Sequence, residues 1–127
     1  MVTAKASVLE HVLAAALGPG RYWDADGIPL EGWEWRSLYA DADYRRLDRT
    51  SFGPEWTGAG WVTITTEWAG TDLRAEPDPD RAPLVWSTRV TGGALDGQVR
   101  LAATREVATK VHGHVIGLVC ETLGGPQ

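Results

Sequence analysis

The chain has 127 residues and a net charge of −5, from 12 basic and 17 acidic side chains. An acidic protein repels duplex nucleic acid unless its positive charge is clustered, so we expect no generic nucleic-acid partner. No apolar run approaches the roughly 20 residues of a membrane helix, so we expect no membrane partner. The single cysteine, Cys120, excludes an intrachain disulfide, which is typical of a reducing cytoplasm. Glu10 and His11 interrupt the apolar stretch that a signal peptide would need.

Apolar residues at helical spacing predict helices at both ends of one domain spanning residues 1–127. The first helix covers residues 5–17, within an N-terminal helical addition of residues 1–20. A short helix is expected over residues 32–40. The last helix covers residues 105–122, with Thr104 as its N-cap. Its buried stripe comprises Val107, Ala108, Val111, Val115, Leu118 and Val119.

Alternation of apolar and polar residues predicts four strands, over residues 44–51, 61–68, 84–91 and 98–102. A turn at Asp24–Gly27 precedes them, with Gly27 at a positive φ. Short reversals between the strands favour an antiparallel meander. One face needs a cover, and the C-terminal helix supplies it. The fold class is therefore α+β, an antiparallel sheet of three to four strands covered by the C-terminal helix, with one or two N-terminal helices. The apolar face carries Val62, Ile64, Thr66, Trp68, Leu84, Trp86, Thr88 and Val90.

Two segments of this predicted sheet resemble a known sequence pattern. Residues 64–72 read ITTEWAGTD and residues 83–96 read PLVWSTRVTGGALD. They are similar to V-S-T-V-W-L-G-L-D and P-L-I-F-E-T-M-V-F-G-G-x-L-D, which recur in a family of small phage and prophage proteins of unassigned function. The family's T-x-x-x-A-x-x-x-H element matches Thr104, Ala108 and His112. The resemblance covers residues 21–119.

This resemblance implies a phage origin and a location in the host-cell cytoplasm, and it supplies no chemistry. Ser87 stands where the family has a glutamate, and Leu101-Ala102-Ala103 replaces its Arg-Tyr pair. An activity that depended on either feature is not expected here.

Catalytic motifs are missing from the sequence. No Gly-x-Ser-x-Gly elbow is present, and we expect no catalytic residue, metal or cofactor. His112 and His114 lie two apart on a predicted helix, about 200° apart around its axis, so they cannot chelate one ion. Ordinary packing or hydrogen bonding is the main interpretation of His112, and acid or base work is the alternative.

The candidate binding residues are arginines and nearby aromatic residues. Arg45 and Arg49 are expected on one strand face with Leu47, and Arg46 on the other. They form either a solvated edge strand or an anion site, because guanidinium groups grip phosphate or carboxylate bidentately. Nearby aromatic residues could add a stacking surface for a ligand. The candidate residues for binding a ligand or partner are therefore Arg45, Arg46, Arg49, Arg89, Trp33, Trp35 and His112.

The resemblance implies a phage-encoded protein, and together with these residues it favours a non-enzymatic accessory protein that binds and blocks or sequesters a host factor. The partner would be a small anionic, nucleotide-like defence signal or a host defence protein. A small nucleotide-processing enzyme and a virion or assembly component are the alternatives. Thr109, Gly113 and Gly117 recur every four residues on the last helix. Either the helix tolerates its two glycines at a cost of about 1 kcal/mol each, or this spacing allows close helix contact and predicts a homodimer or higher homo-oligomer.

Overall fold

Polar side chains organise the first part of the chain. A computed structural model describes residues 21–76 and 78–123; the helix predicted over residues 5–17 lies outside this range. Asp24 Oδ1 accepts hydrogen bonds from the amides of Asp26 (2.8 Å) and Ile28 (2.9 Å), and Gly27 adopts a φ of 85°. The predicted turn therefore forms. It pairs β1 (Tyr22–Trp23) antiparallel with β2 (Pro29–Leu30).

Two short helices follow this hairpin. A capping box formed by Glu31 and Glu34 begins α1 (Gly32–Tyr39), close to its predicted span. The Asp41 carboxylate accepts hydrogen bonds from two backbone amides and so begins α2 (Ala42–Arg45). The prediction of a strand from residue 44 was wrong at this end, because the cap at Asp41 holds residues 42–45 in a helical turn.

Four antiparallel strands form the main sheet in the order β3-β4-β5-β6, as predicted. A helical turn, α3 (Pro54–Thr57), lies in the reversal between β3 and β4. The strands are β3 (Arg46–Phe52), β4 (Val62–Trp68), β5 (Trp86–Thr91) and β6 (Val99–Ala102).

The C-terminal helix α4 (Arg105–Thr122) covers the predicted apolar face of the sheet. Thr104 accepts a hydrogen bond from the amide of Val107 (3.2 Å), which confirms the N-cap. Trp68 and Trp86 are at most 1% exposed on that face. Val107 was wrongly assigned to the buried stripe, since it is 45% exposed; helix geometry turns it about 110° from the buried centre. None of the described helices is long and apolar enough to cross a membrane.

β5 begins two residues later than its alternation predicts. Val85 and Trp86 are consecutive and both buried, so Leu84 and Val85 do not continue the two-residue alternation. The Val85 carbonyl instead accepts a hydrogen bond from the amide of Ala69 (2.7 Å), and that of Leu84 from the amide of Leu73 (2.9 Å). The long connection between β4 and β5 therefore stays paired at its base.

Candidate functional site

The face of the sheet that points away from α4 carries arginines. Strands β3, β4 and β5 pair side by side. Thr65 on β4 lies opposite Arg49 on β3 and Arg89 on β5, and Glu67 on β4 lies opposite Arg46 and Ser87. Partners in register point to the same side of a sheet. Arg46, Arg49 and Arg89 therefore share one surface, which we call the open face.

This arrangement corrects the predicted faces of β3. The register shifts between Arg46 and Asp48, and such a bulge places two consecutive residues opposite one. Leu47 consequently packs against the core, while Arg46 and Arg49 both turn to the open face. Arg45 ends α2 and is not part of the strand. The bulge could not be predicted from the sequence, because Leu47 alternates regularly with its polar neighbours.

A cleft of about 340 Å³ lies on the open face. Its floor comes from β4, β5 and β6, and its rim comes from α1, α2 and the β4–β5 connection. That volume is at the low end of the range for small-molecule pockets. The lining residues are Tyr39, Arg45, Glu67, Trp68, Ala69, Leu73, Ser87, Arg89, Val99 and Leu101.

Arg45 and Arg89 line this cleft, and neither has an anionic partner within the described part of the chain. Arg45 holds its guanidinium carbon 4.8 Å from the centre of the Tyr39 ring, a cation–π distance. The Arg45 Nε is buried and has no hydrogen-bond partner. Arg89 is exposed. Within the described residues, no carboxylate lies within ion-pair distance of Arg45, Arg46, Arg49 or Arg89.

A series of stacked rings supports the Arg45 side of the cleft. Trp35 stacks on Tyr22 at 4.7 Å and on Tyr39 at 5.1 Å between ring centres. The Trp35 indole N–H donates to the Ala69 carbonyl (2.9 Å), which fixes α1 to the end of β4. Trp35 therefore supports Tyr39 from behind, and Tyr39 in turn positions the Arg45 guanidinium.

The β4–β5 connection presents Leu73 to the cleft. Arg74 binds Asp72 through a short ion pair (Nη2 to Oδ2, 2.6 Å), and the Asp72 Oδ1 accepts from the amide of Leu84 (3.2 Å). The Arg74 guanidinium lowers the pKa of Asp72; burial opposes this effect, and the amides of Leu84 and Arg74 add to it. These contacts hold Leu73 between two anchored neighbours.

His112 lies on the other side of the sheet, within the core. It is 2% exposed, its Nδ1 lies 2.7 Å from the Thr66 hydroxyl, and its Nε2 lies 2.9 Å from the Thr50 hydroxyl. The Thr66 hydroxyl also lies 2.7 Å from the Thr88 hydroxyl, which extends this hydrogen-bond network. The Asp48 carboxylate stands 3.6 Å from Nε2 at the edge of the sheet. The structure therefore shows His112 in a packed polar network, separated from the cleft by the sheet.

Trp33 and Trp35 are not brought together. They are two residues apart on α1, so they project about 200° apart, and Trp33 is 63% exposed. Sequence reasoning named Arg45 and Arg89 but missed Tyr39, Glu67 and Leu73 as cleft residues. The strand pattern did indicate the orientation of Glu67, because Glu67 and Thr65 share the strand face that points away from the helix.

Among the described residues, no cluster of three or more histidine, cysteine, aspartate or glutamate side chains is arranged to hold a metal ion. Comparison with protein-family models, with curated proteins and with solved structures finds no match to this chain.

Proposed function

We propose that this protein is a non-enzymatic phage accessory protein that sequesters a small anionic, nucleotide-like ligand in the host-cell cytoplasm. The ligand would bind in the open-face cleft. One observation carries the proposal: Arg45 and Arg89 line the cleft without a carboxylate partner among the residues that the structure describes, in a protein whose net charge is −5. The phage context rests on the sequence resemblance.

The chemistry of Arg45 supports an anionic ligand. A buried donor without a partner costs about 1–3 kcal/mol, and the Arg45 Nε is such a donor. Arg45 lines the cleft, and a guanidinium can bind a phosphate or carboxylate group through two parallel hydrogen bonds. Because Tyr39 already holds the guanidinium carbon at 4.8 Å, little further side-chain freedom is lost on binding.

The non-enzymatic part rests on the placement of His112. Its ring is 2% exposed and both nitrogens lie within hydrogen-bond distance of threonine hydroxyls. A catalytic acid or base must reach the proton that it transfers, directly or through one water. In the cleft, Ser87 and Glu67 are cross-strand neighbours, but within the described residues no hydrogen bond joins the Ser87 hydroxyl to the Glu67 carboxylate, as a nucleophile activated by a base would require.

A host protein is the second candidate partner. Trp33, Trp56 and Trp61 are 63%, 69% and 62% exposed, and exposed aromatic residues are enriched at protein interfaces. This candidate predicts that a host complex isolated from infected cells dissociates when Trp56 and Trp61 are changed to alanine.

Isothermal titration with inorganic phosphate, pyrophosphate and nucleoside monophosphates tests the cleft. We expect the wild-type protein to bind these anions, and Arg45→Gln with Arg89→Gln to lose at least about tenfold in affinity, since a charge-assisted hydrogen bond is worth roughly 1.5–3 kcal/mol. Arg81→Gln is the matched control, because Arg81 is an exposed loop arginine whose side chain is 80% accessible. No binding by the wild type, or equal binding by the double variant, would overturn the proposal.

A further inference from the structure

The cleft also contains one carboxylate. Glu67 lies on β4, directly between Arg46 on β3 and Ser87 on β5. It is half-buried, and within the described part of the chain its side chain takes part in no hydrogen bond or ion pair. An ionised carboxylate is an acceptor only, with room for two donors side by side. A ligand seated beside Glu67 must therefore bring N–H or O–H donors.

A purely acceptor-bearing anion can bind Arg45 and Arg89, but it leaves the Glu67 carboxylate without a donor and is repelled by it. Arg89 is the diagonal cross-strand neighbour of Glu67, since Glu67 pairs with Ser87. Such diagonal residues lie roughly 7–8 Å apart. Long side chains can span that distance, but no ion pair joins Glu67 to Arg89 among the described residues. The cationic and anionic groups therefore form distinct subsites, and a ligand with an anionic group at one end and donors at the other fits both.

Apolar side chains surround these two subsites. Leu73, Val99 and Leu101 line the cleft, and Leu73 is held in place by the ion pair between its neighbours Asp72 and Arg74. Small-molecule pockets combine apolar walls with a few polar groups that fix orientation. A planar ring suits this lining, because its faces can pack against the apolar side chains while donors on its edge face Glu67.

We propose, building on the anion-binding function above, that the cleft selects a guanine nucleotide and that Glu67 determines this specificity. Guanine presents a ring N–H and an amino group side by side, and one carboxylate accepts from both. Adenine and cytosine each place one amino group beside a ring nitrogen that is itself an acceptor. Uracil places its N–H between two carbonyl oxygens. Each of these three bases turns at least one lone pair toward the Glu67 carboxylate.

Titration with GMP, IMP, AMP and inorganic phosphate tests the assignment. We expect the wild-type protein to bind GMP at least tenfold more tightly than AMP. IMP should lie between them, because it keeps the ring N–H and lacks the amino group. In Glu67→Gln, GMP binding should fall to the level of AMP, whereas phosphate binding is unchanged or stronger. Glu55→Gln, at an exposed position on α3, is the control and should retain the preference.

The outcomes separate this inference from the function on which it rests. Phosphate binding with equal affinity for GMP and AMP would overturn the guanine assignment and leave the anion site intact. A Glu67→Gln variant that keeps the preference would also overturn it. Tight binding of phosphoethanolamine without discrimination between bases would assign Glu67 to an ammonium group instead. No binding of any anion would overturn the anion-binding function itself.

Discussion

Arg45 and Arg89 present the same functional group in different physical settings. Arg45 is half-buried and packed over Tyr39 at 4.8 Å, whereas Arg89 is exposed on a central strand. Ordering a free arginine side chain costs up to about 2 kcal/mol of rotamer entropy. Arg45 has already lost part of that freedom in the folded protein. We therefore assign Arg45 the larger share of the binding free energy in the cleft.

Replacing His112 with alanine tests whether this residue is structural. The substitution removes a ring that is 2% exposed and deprives the Thr66 and Thr50 hydroxyls of a partner. We expect the free energy of unfolding to fall by about 2–4 kcal/mol, from the cavity and the unsatisfied hydroxyls together. Chemical denaturation monitored by tryptophan fluorescence measures this loss.

His114→Ala is the matched control, because His114 is exposed on the same helix. Surface changes of this kind stay within about 0.5 kcal/mol. Equal stability of the two variants would contradict the structural role. A folded His112→Ala protein that no longer binds phosphate would show that His112 belongs to the functional site.

At the scale of elements, the parts predicted from sequence are those with a sustained period. The alternation of Val62, Ile64, Thr66 and Trp68 predicted β4, and the N-cap Thr104 fixed the start of α4. The one-turn helices α2 and α3 are too short to show a period. The bulge at Leu47 depends on the neighbouring strand, and it decides which arginines share a surface. The cleft was therefore only partly predictable, because α1, α2 and the β4–β5 connection build its rim through contacts distant in sequence.

The β4–β5 connection should stabilise the fold in a pH-dependent way. The Arg74 guanidinium lowers the pKa of Asp72, so the folded state favours the ionised carboxylate. A lowered folded-state pKa contributes stability that is present above the unfolded pKa, near 4. That contribution is lost as pH falls through the folded pKa. Asp72→Asn should remove it, with a loss of about 1–3 kcal/mol at pH 7.

Thermal unfolding of both proteins between about pH 7 and pH 2 measures this effect. The difference in Tm between wild type and Asp72→Asn should be largest near neutral pH and should decrease below about pH 4. Asp80→Asn, at an exposed position in the same connection, should follow the wild-type curve. A gap that does not change with pH would show that the Asp72–Arg74 ion pair does not contribute through ionisation.

Over the whole molecule, the net charge of −5 opposes the approach of any anion at long range. Near the cleft, four arginines replace this repulsion by attraction. The open face of the sheet carries Arg46, Arg49 and Arg89, and Arg45 lines its cleft. The Debye length is about 8 Å at physiological salt, so a bound ligand responds mainly to these nearby charges. The same surface is too small and too mixed in charge to follow a duplex backbone, whose affinity depends on many phosphate contacts.

Self-association through α4 is the last prediction. Thr109, Gly113 and Gly117 are all exposed, and a Cβ built at either glycine meets nothing within 4 Å. This surface is open to a second backbone, and the simplest partner is the same helix of another subunit, related by a two-fold axis. We expect sedimentation of the wild type to show a dimer that dissociates on dilution. Gly113→Leu should remain monomeric because its side chain blocks close approach. His114→Leu adds an equal apolar side chain about 100° around the helix and should still dimerise. A wild type that stays monomeric at high concentration would refute the contact without any variant.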